Sequence, residues 1–337
     1  MESNIRIQSG VMLDVFKKIL VKYGFTESKA LKCAEIFMKN SLEGVYSHGV
    51  NRFPRFVGNV RDGYVKPDAV PVLLSAKGGI EQWDGMLGPG PLNAIFATER
   101  AMTMAVENGI SLVTLARTNH WMRAGAYGWH AARKGFILIA WTNTEANMPA
   151  WGAKDARLGN NPMLLAVPYG DKAVVLDFAM TQFAYGKMET YKIAGKQLPF
   201  PGGYNDRGEL TTDPAPILET RRALPIGFWK GSGLSFMLDL LAAVLSGGDS
   251  TSEITKRGTE YSLSQVFIVI NPAVTDSGGR MGETIGRVIA DLKTSIPDGS
   301  TSSIRYPGEN IGTIRNENLA NGIPVSIEVW ESVNRLL

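Results

Sequence analysis

Cysteine and histidine are scarce in this chain of 337 residues. The single cysteine, Cys33, excludes an internal disulfide, and within an expected helix it reads as a small buried residue. Histidine occurs only at positions 48, 120 and 130, so acid–base chemistry near neutrality has few places to sit. A surplus of one charge is missing too. The 35 Lys and Arg against 32 Asp and Glu leave +3, with no basic stripe of the kind nucleic acid needs. The longest apolar run, 234–245, is interrupted by Asp239 and falls far short of the ~20 residues of a membrane span. The opening MESNIRIQSG has no apolar centre of a signal peptide. These absences describe a soluble cytoplasmic globular protein with neither nucleic acid nor membrane as partner.

What is present suits a core and a cleft. Hydrophobic residues make up 44% and charged residues 20%, close to globular averages. At ~100–200 residues per domain the length predicts two domains. Apolar residues at helical spacing predict a helix over 9–23, and Thr26 caps a second running to about Glu43. The stretch 47–84 is rich in Gly, Pro, Asn and Arg, with a short strand signal near 70–74. From about residue 91 the pattern alternates: helix 92–108, strand 110–116, helix 125–134, strand 136–141, then paired strands 163–168 and 173–179. A Pro- and Gly-rich loop spans 198–227, long enough to be a lid or packing arm. An apolar helix at 232–246 and a strand at 265–270 follow, then helices at 283–295, 309–320 and after Ser326. Helices at both ends around an α/β middle predict an α/β fold of the α+β type. Its helical domain is built from 1–72 plus 283–337, with a central α/β domain, 73–282, inserted.

Three clusters carry candidate chemistry. In Ser47-His48-Gly49-Val50-Asn51-Arg52, a helical spacing of four would put His48 and Arg52 on one face. Histidine can give or take a proton near pH 7, and the planar arginine fork grips a carboxylate. The alternative is that His48 caps the preceding helix and Arg52 is a solvated charge. The second cluster, Asn119-His120-Trp121-Met122-Arg123, follows a strand end, where ligands gather in α/β layers. His130 lies on the next helix and reads as a surface residue. The third, 227–233 (GFWKGSG), reads as a Gly-rich turn feeding a helix at Ser232, suited to phosphate, with Lys230 as a point charge and Trp229 to cover a ring. Its alternative is a plain helix start. No G-x-G-x-x-G fingerprint, no G-x-S-x-G elbow and no spaced His or Cys pair occurs, so neither a Rossmann site, a serine hydrolase nor a metal site is expected.

The blocks GVYSHGVNRFPRF (44–56), NHWMRAGAYGW (119–129), WTNTEANMPAWGAK (141–154), AGKQLP (194–199) and LPIGFWKGSG (224–233) carry a resemblance along nearly the whole chain. The chain resembles the malate/L-lactate dehydrogenase-like family of NAD(P)-dependent 2-keto acid reductases, which lack a Rossmann fold. The resemblance implies that His48 is the proton donor and that Ser47, Arg52 and His120 line the substrate pocket. It implies a cofactor held by Ala173, Val174, Val175, Leu176, Asp177, Phe178 and Ala179, by Trp229 and Lys230, and by Gly308, Glu309 and Asn310. It also implies a homodimer. One departure is Gly159-Asn160-Asn161-Pro162, where the family more often has Thr at the second position.

The expectation is therefore a reductase passing hydride from NAD(P)H, with NADH favoured over NADPH, to a small anionic keto acid. A polyhydroxylated six-carbon keto acid would draw hydrogen bonds from Asn119, Trp121, Arg123, Thr142, Asn143 and Asn147. A malate, lactate or ureidoglycolate type of dehydrogenase is the alternative within the class. A non-catalytic sugar-acid or nucleotide-binding protein is the alternative outside it.

Overall fold

The computed structural model describes residues 4–276, 278–300 and 303–337. Strand β1 (Asn4–Ile7) leads into helices α1 (Ser9–Lys22) and α2 (Glu27–Leu42). Helix α1 buries Met12, Phe16, Ile19 and Leu20, the residues at helical spacing, and the Thr26 hydroxyl accepts from the Lys29 N–H to cap α2. A single 3₁₀ turn, Tyr46–His48, precedes α3 (Phe53–Arg61). The composition of 47–84 hid this helix from sequence reasoning. Its proline, Pro54, sits in the first turn, where a missing N–H breaks no helical bond. The ring of Phe53 stacks on Phe16 at 4.0 Å and meets Phe37 edge-on at 5.2 Å, so three helices close on one aromatic centre.

The central region follows as β2 (Val72–Lys77), β3 (Ile80–Asp84), α4 (Gly90–Asn108), β4 (Ile110–Thr118), α5 (Gly125–Arg133) and β5 (Ile137–Thr142). Then come β6 (Met148–Pro149), β7 (Ala156–Leu158), β8 (Met163–Tyr169) and β9 (Lys172–Phe178). The segment 198–227 is not the free loop its prolines predict. After α6 (Tyr185–Ile193) it holds the two-residue strands β10 (Gly203–Tyr204) and β11 (Leu210–Thr211) and the helix α7 (Pro214–Thr220). These elements close on Phe183, Met188, Leu198, Ile217 and Ala223. Next are α8 (Trp229–Ser246), α9 (Thr251–Lys256) and β12 (Leu263–Ile270). Helix α8 starts three residues earlier than the sequence suggests, so Gly231 and Gly233 belong to the helix and not to a turn. Gly231 packs so closely on the Ile226 carbonyl that a side chain there would collide with it.

Seven strands form one sheet in the order β2-β3-β4-β12-β5-β8-β9. Among the described strands of this sheet only β3 and β4 run parallel; every other neighbouring pair is antiparallel. A doubly wound nucleotide fold needs a parallel sheet, so this is α/β without a Rossmann arrangement. Helices α4 and α5 cover one face through Ala97, Ala101 and Ala131, in one core with Leu138 of β5. At Gly128 an added Cβ would lie 2.8 Å from the Leu164 side chain, which is how α5 lies so close to β8. Helix α8 covers the other face through Leu238 and Ala242, against Trp141 and Val266.

The chain closes with α10 (Met281–Lys293), α11 (Ile311–Asn321), β13 (Ile323–Ser326) and α12 (Ile327–Asn334), the last capped by Ser326. Strand β13 pairs antiparallel with β1, Ile323 opposite Ile7, and Ile323, Val325 and Val333 enter the core of α1–α3. Both chain ends thus share one core. Among the described residues no helix is long and apolar enough to cross a membrane. Because Phe53 is fully buried at the aromatic centre, Phe53→Ala should lower stability by about 3–5 kcal/mol, read as an earlier midpoint in urea unfolding.

Candidate active site

A cavity of about 790 Å³ opens where the 3₁₀ turn, the loop after β4, the end of β9 and α6 converge. The turn is fixed by the end of α2. Asn40 Nδ2 donates to the His48 carbonyl at 3.0 Å, and the Val50 N–H donates to Ser41 Oγ at 2.8 Å. His48 and Arg52 are therefore not on one helix: His48 ends the turn and Arg52 precedes α3. Both still line the cavity. Ser47 Oγ lies 3.1 Å from His48 Nδ1, and Gly186 of α6 packs on Ser47 so tightly that a Cβ would come within 2.7 Å.

The His48 and His120 rings stack with centroids 5.7 Å apart and planes 20° off parallel. Met122 takes a φ of 66°, rare for a side chain with a Cβ, and so turns its N–H onto His120 Nδ1 at 3.0 Å. That contact leaves the ring proton of neutral His120 on Nε2. Burial lowers the His48 pKa to about 4, with Arg52 and Arg123 adding to the effect. Burial, Arg52 and His48 likewise hold His120 well below the ordinary histidine value. Both rings are neutral at pH 7 in this site.

Charged groups surround them. Arg123 is buried and ion-paired to buried Glu43, which Arg315 also approaches at 3.8 Å. Asp177 Oδ2 accepts from the Gly125 N–H at 2.7 Å; burial pushes its carboxyl above the usual range, with that hydrogen bond and Arg123 pulling the other way. Arg52 lies 3.8 Å from Glu260, whose carboxyl burial also raises, Arg52 opposing.

Ser47, His48, Arg52 and His120 meet in this cavity, and so do Asp177, Phe178 and Ala179. Ala173, Val174, Val175 and Leu176 lie back along β9, outside its wall. There the Val175 N–H donates to the Pro307 carbonyl at 3.1 Å, and Gly308 packs against the Val175 backbone. Glu309 pairs with Lys293, and Asn310 precedes α11. Trp229 and Lys230 form the first turn of α8, do not line the cavity, and Trp229 is 64% exposed. His130 lies outside the cavity wall, its side chain 31% exposed and bound to Glu99. Of the expected hydroxyl partners, Trp121, Arg123 and Asn147 line the cavity. Asn119 instead holds three backbone carbonyls, and Thr142 and Asn143 are engaged inside the fold with Ser264, Asp239 and Asp249. Sequence reasoning missed Arg55, Tyr185, Glu189, Arg221 and Glu260 on the wall. Only Arg55 carried a signal, three residues beyond Arg52 at helical spacing.

The sequence profile of the malate/L-lactate dehydrogenase family matches residues 7–334. The chain is 42% identical over 322 residues to 2,3-diketo-L-gulonate reductase of Escherichia coli, covering 95% of this chain and 97% of that protein. Among solved structures it is similar to malate dehydrogenase from Pyrococcus horikoshii OT3, with a TM-score of 0.90, 28% identity, and 100% and 95% of the two chains covered. Malate dehydrogenase from Entamoeba histolytica shares the fold, with a TM-score of 0.93, 22% identity and coverage of 99% and 97%.

The chain belongs to the malate/L-lactate dehydrogenase family. It is thus an oxidoreductase acting on CH–OH groups, in a family of NAD(P)-dependent dehydrogenases. The cavity fits such a cofactor's reactive end. Its volume lies within the ~300–1,000 Å³ usual for ligand pockets, and Asn147 Oδ1 is a buried acceptor with no partner at its wall. In this member of the family, ring-nitrogen NMR of the ligand-free protein should show His48 titrating at about 4 and His120 below the ordinary 6.5. A value near 6.5 for either ring would contradict the buried, arginine-flanked site.

Proposed function

We propose that the protein reduces 2,3-diketo-L-gulonate to 3-dehydro-L-gulonate, with NADH used in preference to NADPH. The observation that carries this reading is His48 beside Arg52 and stacked on His120 in a cavity with a polar wall. The 42% identity to a 2,3-diketo-L-gulonate reductase supports the substrate.

Reduced nicotinamide, when bound, supplies the hydride. Residues 173–179 and 308–310, adjacent in the fold, and Trp229 with Lys230 are the groups we assign to holding the cofactor. Arg52 grips the substrate carboxylate with its planar fork. Negative charge then grows on the C2 oxygen, and His48 gives it a proton, with Ser47 fixing the ring through Nδ1. His120, with its proton on Nε2, donates to the substrate and helps hold the carbonyl in place.

The rest of the proposal concerns assembly. We read the chain as a helical unit, 1–72 plus 283–337, and a central unit, 73–282, in a cytoplasmic homodimer. The exposed apolar face of α8, Phe236, Leu240 and Val244, supports a covered interface there.

A placed general acid is worth ~10²–10⁴-fold, so His48→Gln should lower kcat by that order while NADH binding, followed by fluorescence, barely changes. Retained activity would remove His48 from the role. Reduction needs the protonated ring, and kcat/KM reports the free enzyme, whose His48 pKa lies at about 4. Above that value the protonated fraction drops tenfold per unit, so kcat/KM for reduction should fall about tenfold per pH unit through neutrality. His48→Gln should flatten the profile. No turnover of any keto acid at the nicotinamide absorbance band would favour a binding protein instead.

A further inference from the structure

The region that sequence reads as a loop builds one wall of the cavity. Together with α6, which precedes it, it closes a small core and sends Arg221 from just beyond α7 to the cavity, beside Tyr185 and Glu189 of α6. Arg221 caps α7 with φ 55° and ψ 34°, a left-handed backbone that few side chains adopt and that persists only where surroundings impose it. The consequence is a forked contact: Arg221 Nη1 lies 3.5 Å from Glu145 Oε2, and Nη2 bonds Oε1. The Glu145 carboxylate is only 16% exposed. Beside it, Asn147 Nδ2 donates to Asn160 at 3.1 Å while its Oδ1 has no partner.

This wall is a poor match for a second anionic group. The Arg221–Glu145 pair adds no net charge, so a carboxylate drawn to one partner is repelled by the other. An apolar tail would cover donors and acceptors without replacing their bonds to water. A hydroxylated tail suits both partners. Each hydroxyl donates one bond and accepts others, so it can give to Glu145 and take from the guanidinium N–H groups left over from the fork.

We propose that the Arg221–Glu145 pair determines specificity by reading the hydroxylated tail of the keto acid, an inference that rests on the reduction proposed above. The measurement is kcat/KM with NADH for 2,3-diketo-L-gulonate, oxaloacetate and pyruvate, in the wild type, Arg221→Gln and Glu145→Gln. Calorimetric Kd values for the same acids supply the same ratios without turnover. Thermal unfolding and NADH titration check each variant, and Arg221→Lys and Glu145→Asp replace any that unfolds. Both glutamine variants should lose about tenfold to a hundredfold on the hydroxylated acid relative to pyruvate.

Opposite signs on oxaloacetate, loss in Arg221→Gln and gain in Glu145→Gln, would assign the pair to a second carboxylate and overturn the inference. Equal losses on all three acids would also overturn it, leaving a structural role. A wild type that ignores 2,3-diketo-L-gulonate refutes the substrate proposed above. The tail-reading role is then judged on the variants' Kd ratios for gluconate over lactate, which rise in both if it holds and are unchanged if it does not.

Discussion

The buried ion pair between Arg123 and Glu43 is the contact on which the site depends. Glu43 ends α2 in the core shared by the two chain termini, and Arg123 belongs to the loop leaving β4 of the central sheet. Breaking such a pair from one side strands a buried charge, which costs about 3–5 kcal/mol. The helical core and the central sheet are therefore held in register where the cavity forms. Arg315 from α11 faces the same carboxylate, so a third segment is tied to the junction. Arg123 also passes beside Gly125, where an added Cβ would lie 3.1 Å from both its Nε and Asp177 Oδ2. A side chain at that position would press on both the end of β9 and Arg123, and one of them would have to give by a few tenths of an ångström.

The antiparallel sheet explains why the site lies at a seam. In a doubly wound fold, parallel strands present their carboxyl ends on one side and the ligand sits over them. Here, β3 and β4 aside, neighbouring strands alternate direction, so no single sheet edge collects the loops. The cavity draws instead on a turn pinned to α2, a strained loop after β4, the end of the edge strand β9, and the small body of α6 and α7. Each contributor is rigid for its own reason: side-chain bonds to the turn, a left-handed Met122, sheet pairing with β8, and a private apolar core. Precision at the seam comes from four local constraints acting together.

The legible parts of the sequence were those whose signal is local. Apolar spacing located α1, α2, α4 and the strands β4, β5, β8, β9 and β12 of the central sheet, and the SHG-x-x-R and NHWMR blocks contain the two histidines that stack across the cavity. What was not legible depends on distant partners. Helix α3 lacks a favourable composition and exists because Phe53 completes a core with Phe16 and Phe37. Strands β1 and β13, four residues each, have no pattern of their own and form by pairing residues 316 to 322 positions apart in the chain. Glu145, Arg221 and Glu260 belong to no shared motif; only folding makes them neighbours. Asn119 and Asn143 were read as ligands because they are polar and near a motif. The fold uses them to satisfy buried backbone carbonyls, the more common employment of an interior amide.

The protonated ring that the proposed reaction needs is scarce in the empty site, because burial, with Arg52 and Arg123 adding to it, lowers the His48 pKa. Arg52 and Arg123 stand beside a buried imidazole, and with burial they hold the His48 pKa near 4. A carboxylate arriving at Arg52 neutralises part of that field and places a negative group close to the ring. Both changes favour the imidazolium, so the keto-acid anion and the proton bind together. The linkage is reciprocal: a protonated His48 strengthens anion binding by the same factor. Hydride delivery then completes the effect, because charge developing on the substrate oxygen pulls the proton across. A neutral analogue lacking the carboxylate would leave the field at His48 as it is in the empty site, and the ring without its proton. In the proposed reaction Arg52 thus selects for an acid substrate twice, once by contact and once through the protonation of the histidine beside it.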